Sequence, residues 1–234
     1  MRVLAIGCHP DDLEIGCGGT LAKYADSGND VFMCHIANGN MGHAVIMPDE
    51  LRAIRTAEAE NSGELLGAKE VFNIDIPDLV VSSDNIDTIK KVIEVIRYVK
   101  PDVIITHSPE DYMRDHLETG KIVFDASFSS SVPHFGKGDV HGLIAPLYYM
   151  DTLAGVNFLP EEYVDITDTL ERKLMAVDKH ESQVKWMSDH DGIDFLDFVK
   201  TVSKFRGLQC GVKYAEGFKV CRTWPRQTAK RLLP

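Results

Sequence analysis

Short apolar runs alternate along the chain with longer segments whose apolar residues recur at helical spacing. The run RVLAIGC at residues 2–8 is almost continuously apolar, which is typical of a strand covered on both faces. Between residues 86 and 99, four isoleucines and a valine recur three or four positions apart. This spacing predicts an amphipathic helix that ends before Pro101.

The same pattern predicts the remaining elements. Further strands are expected at residues 30–37, 70–76, 102–108, 146–151, 162–167 and 215–221. Further helices are expected at residues 19–28, 49–67, 115–128 and 193–206, with one more after an N-cap at Thr167 or Asp168. This alternation favours a Rossmann-like, doubly wound α/β fold with a mainly parallel sheet and helices on both faces. We expect a single domain over residues 1–234, since no repeat or linker divides the chain.

The longest irregular stretch spans residues 129–144 and is rich in serine and glycine. Long segments without secondary structure are often functional loops. We therefore expect a mobile active-site loop here, with residues 127–138 helping to select the substrate.

Composition narrows the class of partner. Apolar residues make up 44% of the chain and charged residues 26%, which are ordinary values for a globular protein. The formal net charge of −11 argues against a nucleic-acid partner and against binding to anionic membranes. The basic C-terminal segment, residues 222–234, is expected to be solvated or to pack against another subunit, and we expect a homo-oligomer.

Features of targeting and redox state point to the cytoplasm. The start MRVLAIG enters a strand at once and lacks the features of a signal peptide. No apolar run approaches the roughly 20 residues that a membrane span needs. The five cysteines are scattered without a CxxC pair, which is typical of reduced thiols. We therefore expect a cytoplasmic protein.

Three polar segments follow predicted strands, where ligands bind in an open α/β sheet. They are HPDD after the first strand, NGNMG after the second and HSPEDYMRDH after the fourth. Gly16, Gly18 and Gly19 could indicate a nucleotide site, but they do not form GxGxxG, and carboxylates before the helix would repel a pyrophosphate. Close packing of a helix on a strand, together with a tight turn, accounts for these glycines better.

His9, Asp11 and Asp12 fit a divalent cation. A catalytic zinc commonly takes three imidazole or carboxylate ligands and leaves one position for water. HPDD can supply an imidazole and one carboxylate, and His116 at another strand end is well placed as the third ligand. The alternative is that His9 and the aspartates only cap the helix and that His116 is a surface histidine.

These residues lie in motifs that resemble a known family, the zinc-dependent de-N-acetylases called LmbE-like or PIG-L-like. The opening HPDDLEIGCGG resembles the family's first motif closely, and four further matches follow in the same order as in the family. They are NGNMG, IRTAEAENSGELLGA, KLMAVDKHESQV and GVKYAEGF. The resemblance implies removal of an acetyl group from an N-acetylated amino sugar, of the N-acetylglucosamine type, or from its conjugate.

The resemblance also implies roles for individual residues. His9, Asp12 and His116 would bind one zinc ion per chain, and Asp11 would act as the general base. Asp115 would be a partner that orients an imidazole.

Two further residues match the family's motifs, and one position departs from them. Arg55 corresponds to a helix arginine that faces the site. His180 would stabilise the oxyanion or protonate the amine. Met113 stands where the family motif has a histidine, and its side chain has no proton to give. We expect His180 to compensate for the missing imidazole and Met113 to form an apolar wall of the pocket.

Two alternatives to deacetylation stay open at this point. One is a different zinc amide hydrolase, such as an amidase that acts on a thiol conjugate. The other is a catalytically weak sugar-binding protein, which the loss of the motif histidine makes conceivable.

Overall fold

Seven strands form one sheet at the centre of the protein, in a computed structural model that describes residues 1–234. The strands are β1 (Arg2–Gly7), β2 (Asp30–Ala37), β3 (Ala68–Ile76), β4 (Val103–Thr106), β5 (Leu147–Met150), β6 (Glu162–Asp165) and β7 (Ala215–Val220). Their order is β3-β2-β1-β4-β5-β7-β6, and β7 runs antiparallel to the other six strands. The predicted mainly parallel sheet is confirmed, and each predicted strand lies within two residues of its expected bounds.

Helices cover both faces of the sheet, as predicted. They are α1 (Asp12–Asp26), α2 (Pro48–Leu66), α3 (Ile86–Val99), α4 (Arg114–Ser129), α5 (Leu170–Asp178), α6 (Glu181–Asp191) and α7 (Phe195–Cys210). Apolar side chains of α1, α2 and α5 pack on one face of the sheet, and those of α3 and α4 pack on the other. None of the helices combines the length and the apolar character that a membrane crossing requires.

The strand order places a topological switch point between β1 and β4. The chain turns outward to β2 and β3 on one side of β1, and continues from β4 to β5 on the other. Ligands bind beyond the carboxyl ends of the strands at such a point. The segments that follow β1 and β4 therefore lie where a site is expected.

Four helix predictions need correction, and one of them concerns α7, which ends at Cys210 rather than at residue 206. Helix α1 begins at Asp12 rather than at residue 19, because the glycines that disfavour a helix in isolation here allow close packing. A Cβ atom at Gly19 would lie 2.8 Å from Cβ of Ile166. The N-cap of α5 is Thr169, whose hydroxyl donates to the carbonyl of Gly19 rather than capping its own helix. Helix α6 was not predicted as a separate element.

The prediction that residues 129–144 form a mobile active-site loop is wrong, because none of these residues lines the pocket of this chain at the carboxyl ends of the strands. Arg97 of α3 is buried and donates hydrogen bonds of 2.7–3.3 Å to the carbonyls of Ser130, Val132, Phe135, Lys137 and Gly138. A ring nitrogen of His141 lies 2.9 Å from the carbonyl of Pro101, just before β4 begins. The loop is therefore fixed at the edge of the sheet opposite to the carboxyl ends of the strands.

The basic C-terminal segment packs partly on its own chain. Arg226 is buried and donates to the Ser127 hydroxyl and the Phe124 carbonyl. Leu233 is buried in the apolar core of the α1 face. The expectation that this segment is only solvated or packed against another subunit is therefore wrong for these two residues.

Candidate metal centre and active site

The carboxyl ends of β1 and β4 bring two acidic, histidine-rich segments together. Asp11 is the N-cap of α1 and has a φ of 128°, a backbone conformation that a residue other than glycine rarely adopts. This turn directs Asp11 and Asp12 toward the segment that connects β4 to α4. His116 lies just after that segment, in the first turn of α4. All three side chains are buried.

The predicted ligand atoms lie at mutual distances that suit a small cation. Nε2 of His116 lies 3.3 Å from Nδ1 of His9 and 3.3 Å from Oδ1 of Asp12. Nδ1 of His9 lies 3.4 Å from Oδ2 of Asp12. Two ligand atoms bound about 2.1 Å from a tetrahedral zinc ion lie about 3.4 Å apart. His9, Asp12 and His116 therefore fit a tetrahedral metal site.

His107, which sequence analysis missed, also lies in this cluster. Its Nε2 is 3.2 Å from Oδ2 of Asp12, and its ring stacks on that of His116 with centroids 4.0 Å apart. Asp12, His107 and His116 therefore form a second possible metal-binding triad. The backbone N–H of Cys8 donates to Nε2 of His107 at 2.9 Å, however, and this bond uses the lone pair that a metal would need. The only feature of the sequence that could have indicated His107 as a site residue is its position directly after β4.

A carboxylate stands behind each of the two predicted histidine ligands. Asp115 Oδ2 lies 3.5 Å from Nε2 of His9 and also accepts the backbone N–H of Leu79 at 2.7 Å. Asp111 Oδ2 lies 3.1 Å from Nδ1 of His116. Such partners fix the orientation of a metal-binding imidazole. Sequence analysis expected Asp115 in this role but missed Asp111, whose only signal is its place in the same acidic segment.

The pKa values of the histidines separate into two groups. Burial alone lowers the pKa of His9 and of His116, but nearby carboxylates, with Cys8 in the case of His9, outweigh it. The pKa of His9 is therefore well above its usual value, and that of His116 is raised to about 10. Burial and the neighbouring His116 instead lower the pKa of His107 to about 4. The site thus favours positive charge at His9 and His116.

Asp11 and Arg55 form a buried pair beside the candidate ligands. Nη2 of Arg55 lies 3.0 Å from Oδ2 of Asp11, and the guanidinium also donates to the carbonyls of Pro10 and Gly39. A Cβ atom at Gly39 would come within 2.6 Å of the Arg55 side chain, so this close approach requires glycine. Burial raises the pKa of Asp11 to about 6, although Arg55 opposes the shift. The arrangement fits a carboxylate that exchanges protons near neutral pH.

His180 lies behind Asp11 and has no exposed surface. Its Nε2 is 3.4 Å from Oε1 of Glu14, a carboxylate that also accepts a hydrogen bond from Ser62. Burial opposes ionisation of Glu14, but the charge of His180 holds its pKa down at about 2. His180 is not among the residues that line the pocket. This placement offers no direct contact between His180 and a substrate.

A pocket of about 310 Å³ opens in front of the cluster. Half of its lining residues are apolar. Met113, which was predicted to form an apolar wall, is one of them. The lining residues are His9, Asp11, Asp12, Ile15, Met41, Gly42, Arg55, Asp78, Leu79, Met113, Leu153, Gln183, Met187 and Phe195. Fold and site together define an α/β protein with a candidate catalytic metal centre at the switch point of its sheet.

Comparison with known proteins assigns the family. Residues 4–127 match the family model described as PIG-L: GlcNAc-PI de-N-acetylase. The chain is 31% identical over 228 residues to diacetylchitobiose deacetylase from Thermococcus kodakarensis, a match that covers 93% of this chain and 82% of that protein. The chain belongs to the PIG-L family, as the sequence motifs predicted.

Solved structures agree with this assignment. N,N'-diacetylchitobiose deacetylase from Pyrococcus horikoshii superposes with a TM-score of 0.81 and 29% identity, over 94% of this chain and 83% of that one. GalB, a 4-carboxy-2-hydroxymuconate hydratase from Pseudomonas putida, superposes with a TM-score of 0.82 over 98% and 99% of the two chains. Its identity to this chain is 22%, so that likeness concerns the fold alone.

Proposed function

We propose that the protein is a metal-dependent hydrolase that removes the acetyl group from an N-acetylglucosamine-type amino sugar or its conjugate, releasing acetate and a free amine. One observation carries this proposal. The imidazole nitrogens of His9 and His116 lie 3.3 Å apart, each lies 3.3–3.4 Å from an oxygen of Asp12, and Asp11 is the next residue in the chain; these distances suit a tetrahedral cation. Membership of the PIG-L family and the likeness to diacetylchitobiose deacetylases support the same activity.

One zinc ion per chain would be held by His9, Asp12 and His116. The bond from the Cys8 backbone to His107 favours His9 over His107 as the third ligand. When bound, zinc would polarise the acetamide carbonyl of the substrate and lower the pKa of a water molecule toward about 7. His107 would then support the site by packing on His116.

Asp11 would carry the proton in both directions. As a carboxylate it removes a proton from the attacking water, and as a carboxylic acid it returns the proton to the departing nitrogen. A pKa raised to about 6 by burial suits both states near neutral pH. Arg55 would position Asp11 rather than contact the oxyanion, because its guanidinium is already engaged by Asp11 and two backbone carbonyls.

We revise the compensating role that the sequence suggested for His180. Met113 lines the pocket but offers no proton, and His180 is separated from the pocket by complete burial. His180 and Glu14 would instead act as positioning residues behind Asp11. Asp11 is then the sole proton carrier.

We also propose that the protein is cytoplasmic and forms a homo-oligomer. All five cysteines are free thiols and four of them are buried, which supports a reducing compartment. Leu208 and Trp224 are large apolar residues that stay mostly exposed, which supports contacts between subunits.

The proposed activity is tested by measuring acetate release from N-acetylglucosamine and its conjugates, with zinc-loaded and zinc-stripped protein. We expect acetate from the zinc-loaded protein only. Asp11→Asn should keep the zinc but lose turnover by at least about 10²-fold, because it removes the general base. Release of a different acid, or cleavage of a thiol conjugate without acetate, would favour another amide hydrolase. Sugar binding without any turnover would favour the weak binding protein.

A further inference from the structure

The pocket in front of the candidate metal centre has a polar floor and apolar walls. His9, Asp11 and Asp12 form the floor. One wall consists of Met41, Leu79 and Met113. Met41 follows β2, Leu79 follows β3, and Met113 directly precedes α4. Ile15, Leu153, Met187 and Phe195 supply the rest of the apolar lining. A substrate whose amide reaches the floor must therefore contact apolar side chains of the lining.

The remaining polar side chains of the pocket already bind the protein itself. Asp78 accepts the backbone N–H groups of Gly39 and Met41 at 2.8 and 3.0 Å. Nε2 of Gln183 donates to the carbonyl of Gly42 at 3.3 Å. Nη1 and Nη2 of Arg55 are engaged by Asp11 and two carbonyls, and its Nε is buried. Few free donors are left for the hydroxyl groups of a second sugar, and polar groups buried without partners weaken binding.

The wall formed by Met41, Leu79 and Met113 is open to an incoming ligand. Leu79 is 69% exposed and Met41 is 51% exposed, although both line the pocket. Leu79 has a φ of 69° and is held there by the bond from its backbone N–H to Asp115, the carboxylate behind His9. Exposed apolar residues grouped at a cleft mark binding surfaces, and methionine adapts to ligands of different shape. The wall is thus anchored to the centre that it borders.

We propose that the preferred substrate is an N-acetylglucosaminide whose aglycone is an apolar alkyl or aryl group, bound against Met41, Leu79 and Met113. This inference rests on the deacetylase function proposed above. The acetamide would lie on the polar floor, and the aglycone would cover the exposed apolar wall. Each methylene buried there should strengthen binding by about fourfold.

The test compares kcat/KM for acetate release from methyl, butyl and hexyl N-acetylglucosaminides and from diacetylchitobiose. We expect kcat/KM to rise at least about tenfold from the methyl to the hexyl glycoside, and the hexyl glycoside to exceed diacetylchitobiose. In Leu79→Asn, which tolerates the positive φ, and in Met41→Gln, the hexyl-to-methyl ratio should fall severalfold. Leu159→Asn, at an exposed leucine outside the pocket, should leave this ratio unchanged. Zinc content and circular dichroism verify that each variant is folded.

Each contrary result has a distinct meaning. A hexyl-to-methyl ratio near one, or highest activity on diacetylchitobiose, overturns the apolar aglycone while leaving the deacetylase intact. If kcat/KM rises equally when N-butanoyl replaces N-acetyl, the apolar wall contacts the acyl group rather than the aglycone. This result would also overturn the proposed apolar aglycone. Absence of acetate from every glycoside overturns the proposed function, and this inference with it.

Discussion

Two buried charged clusters lie close together in this protein and differ in how completely they are satisfied. Beneath α1, Lys173 donates to Glu216 at 2.6 Å and to the carbonyl of Ile15 at 2.7 Å. The Glu216 carboxylate also accepts the N–H groups of Gly19 and Thr20 at 2.9 and 2.8 Å. Every polar atom of this ion pair has a partner, as expected of a buried charge that holds a fold together.

The cluster at the carboxyl ends of β1 and β4 is different. Buried nitrogen or oxygen atoms without a hydrogen-bond partner occur in several of its side chains, namely Glu14, His35, Arg55, His107, Asp115 and His180. Such atoms are rare in folded proteins, and each calls for a structural or chemical reason. The contrast indicates that the first cluster serves stability, whereas the second is organised around chemistry.

The two clusters are joined through α1. Lys173 and Glu216 bind the backbone of this helix at Ile15, Gly19 and Thr20, and its N-terminus carries Asp11 and Asp12. The fully hydrogen-bonded pair of Lys173 and Glu216 thus holds in place the helix that carries Asp11 and Asp12 at the candidate site. Each region can therefore be perturbed separately.

The largest expected effect comes from removing a metal ligand. His9→Ala and His116→Ala should each lose bound zinc and all measurable acetate release, because three ligands are needed to hold the ion. His107→Ala should keep the zinc with an affinity about 10- to 100-fold weaker, as expected for a supporting residue. Elemental analysis after dialysis measures the difference. Zinc retained by His9→Ala and lost by His107→Ala would instead select the triad of Asp12, His107 and His116.

Breaking the satisfied cluster should affect stability rather than chemistry. Lys173→Met leaves the buried Glu216 charge unpaired and should lower the free energy of unfolding by about 3–5 kcal/mol. Lys204→Met, on the exposed side of α7, should change it by less than about 0.5 kcal/mol. Chemical denaturation of the zinc-loaded proteins measures both. A loss below about 1 kcal/mol in Lys173→Met would contradict the structural role of this pair.

Loss of the buried histidine behind Asp11 should have a moderate effect. His180→Gln should lower kcat by about 10- to 100-fold at unchanged zinc content and nearly unchanged KM, because it removes support for Asp11 rather than a contact with substrate. The exposed His190, replaced in the same way, serves as the control. A rise in KM with kcat preserved would show that His180 contacts the substrate after all.

The smallest expected effect is proton release when zinc binds to the stripped protein. His9 and His116 have raised pKa values and hold protons at pH 7 when no metal competes for them. Zinc must displace these protons, so roughly one to two should be released per ion, and zinc affinity should rise as the pH increases from 6 to 9. Calorimetry in buffers of different ionisation enthalpy counts the protons. An affinity independent of pH would contradict the charged state of these two histidines.

The order of elements and the residues of the opening motif could be predicted from the sequence alone. Apolar periodicity sets strands and helices locally, and parallel strands align their carboxyl ends, so HPDD and His116 could be expected at one edge of the sheet. The start of α1 was less predictable, because its glycines disfavour a helix locally and are favoured only by contacts with residues such as Ile166.

Only the tertiary structure decided which side chains pair across these segments. The sequence places Asp115 next to His116 and Asp111 five residues before it, but strand order and the turn of α4 direct Asp111 to His116 and Asp115 to His9. The same applies to His180, which the motif marks but which packing encloses behind Asp11, and to residues 129–144, which Arg97 fixes at the far edge of the sheet. Motifs are local in the chain, whereas burial, pairing and access depend on contacts between residues far apart in sequence.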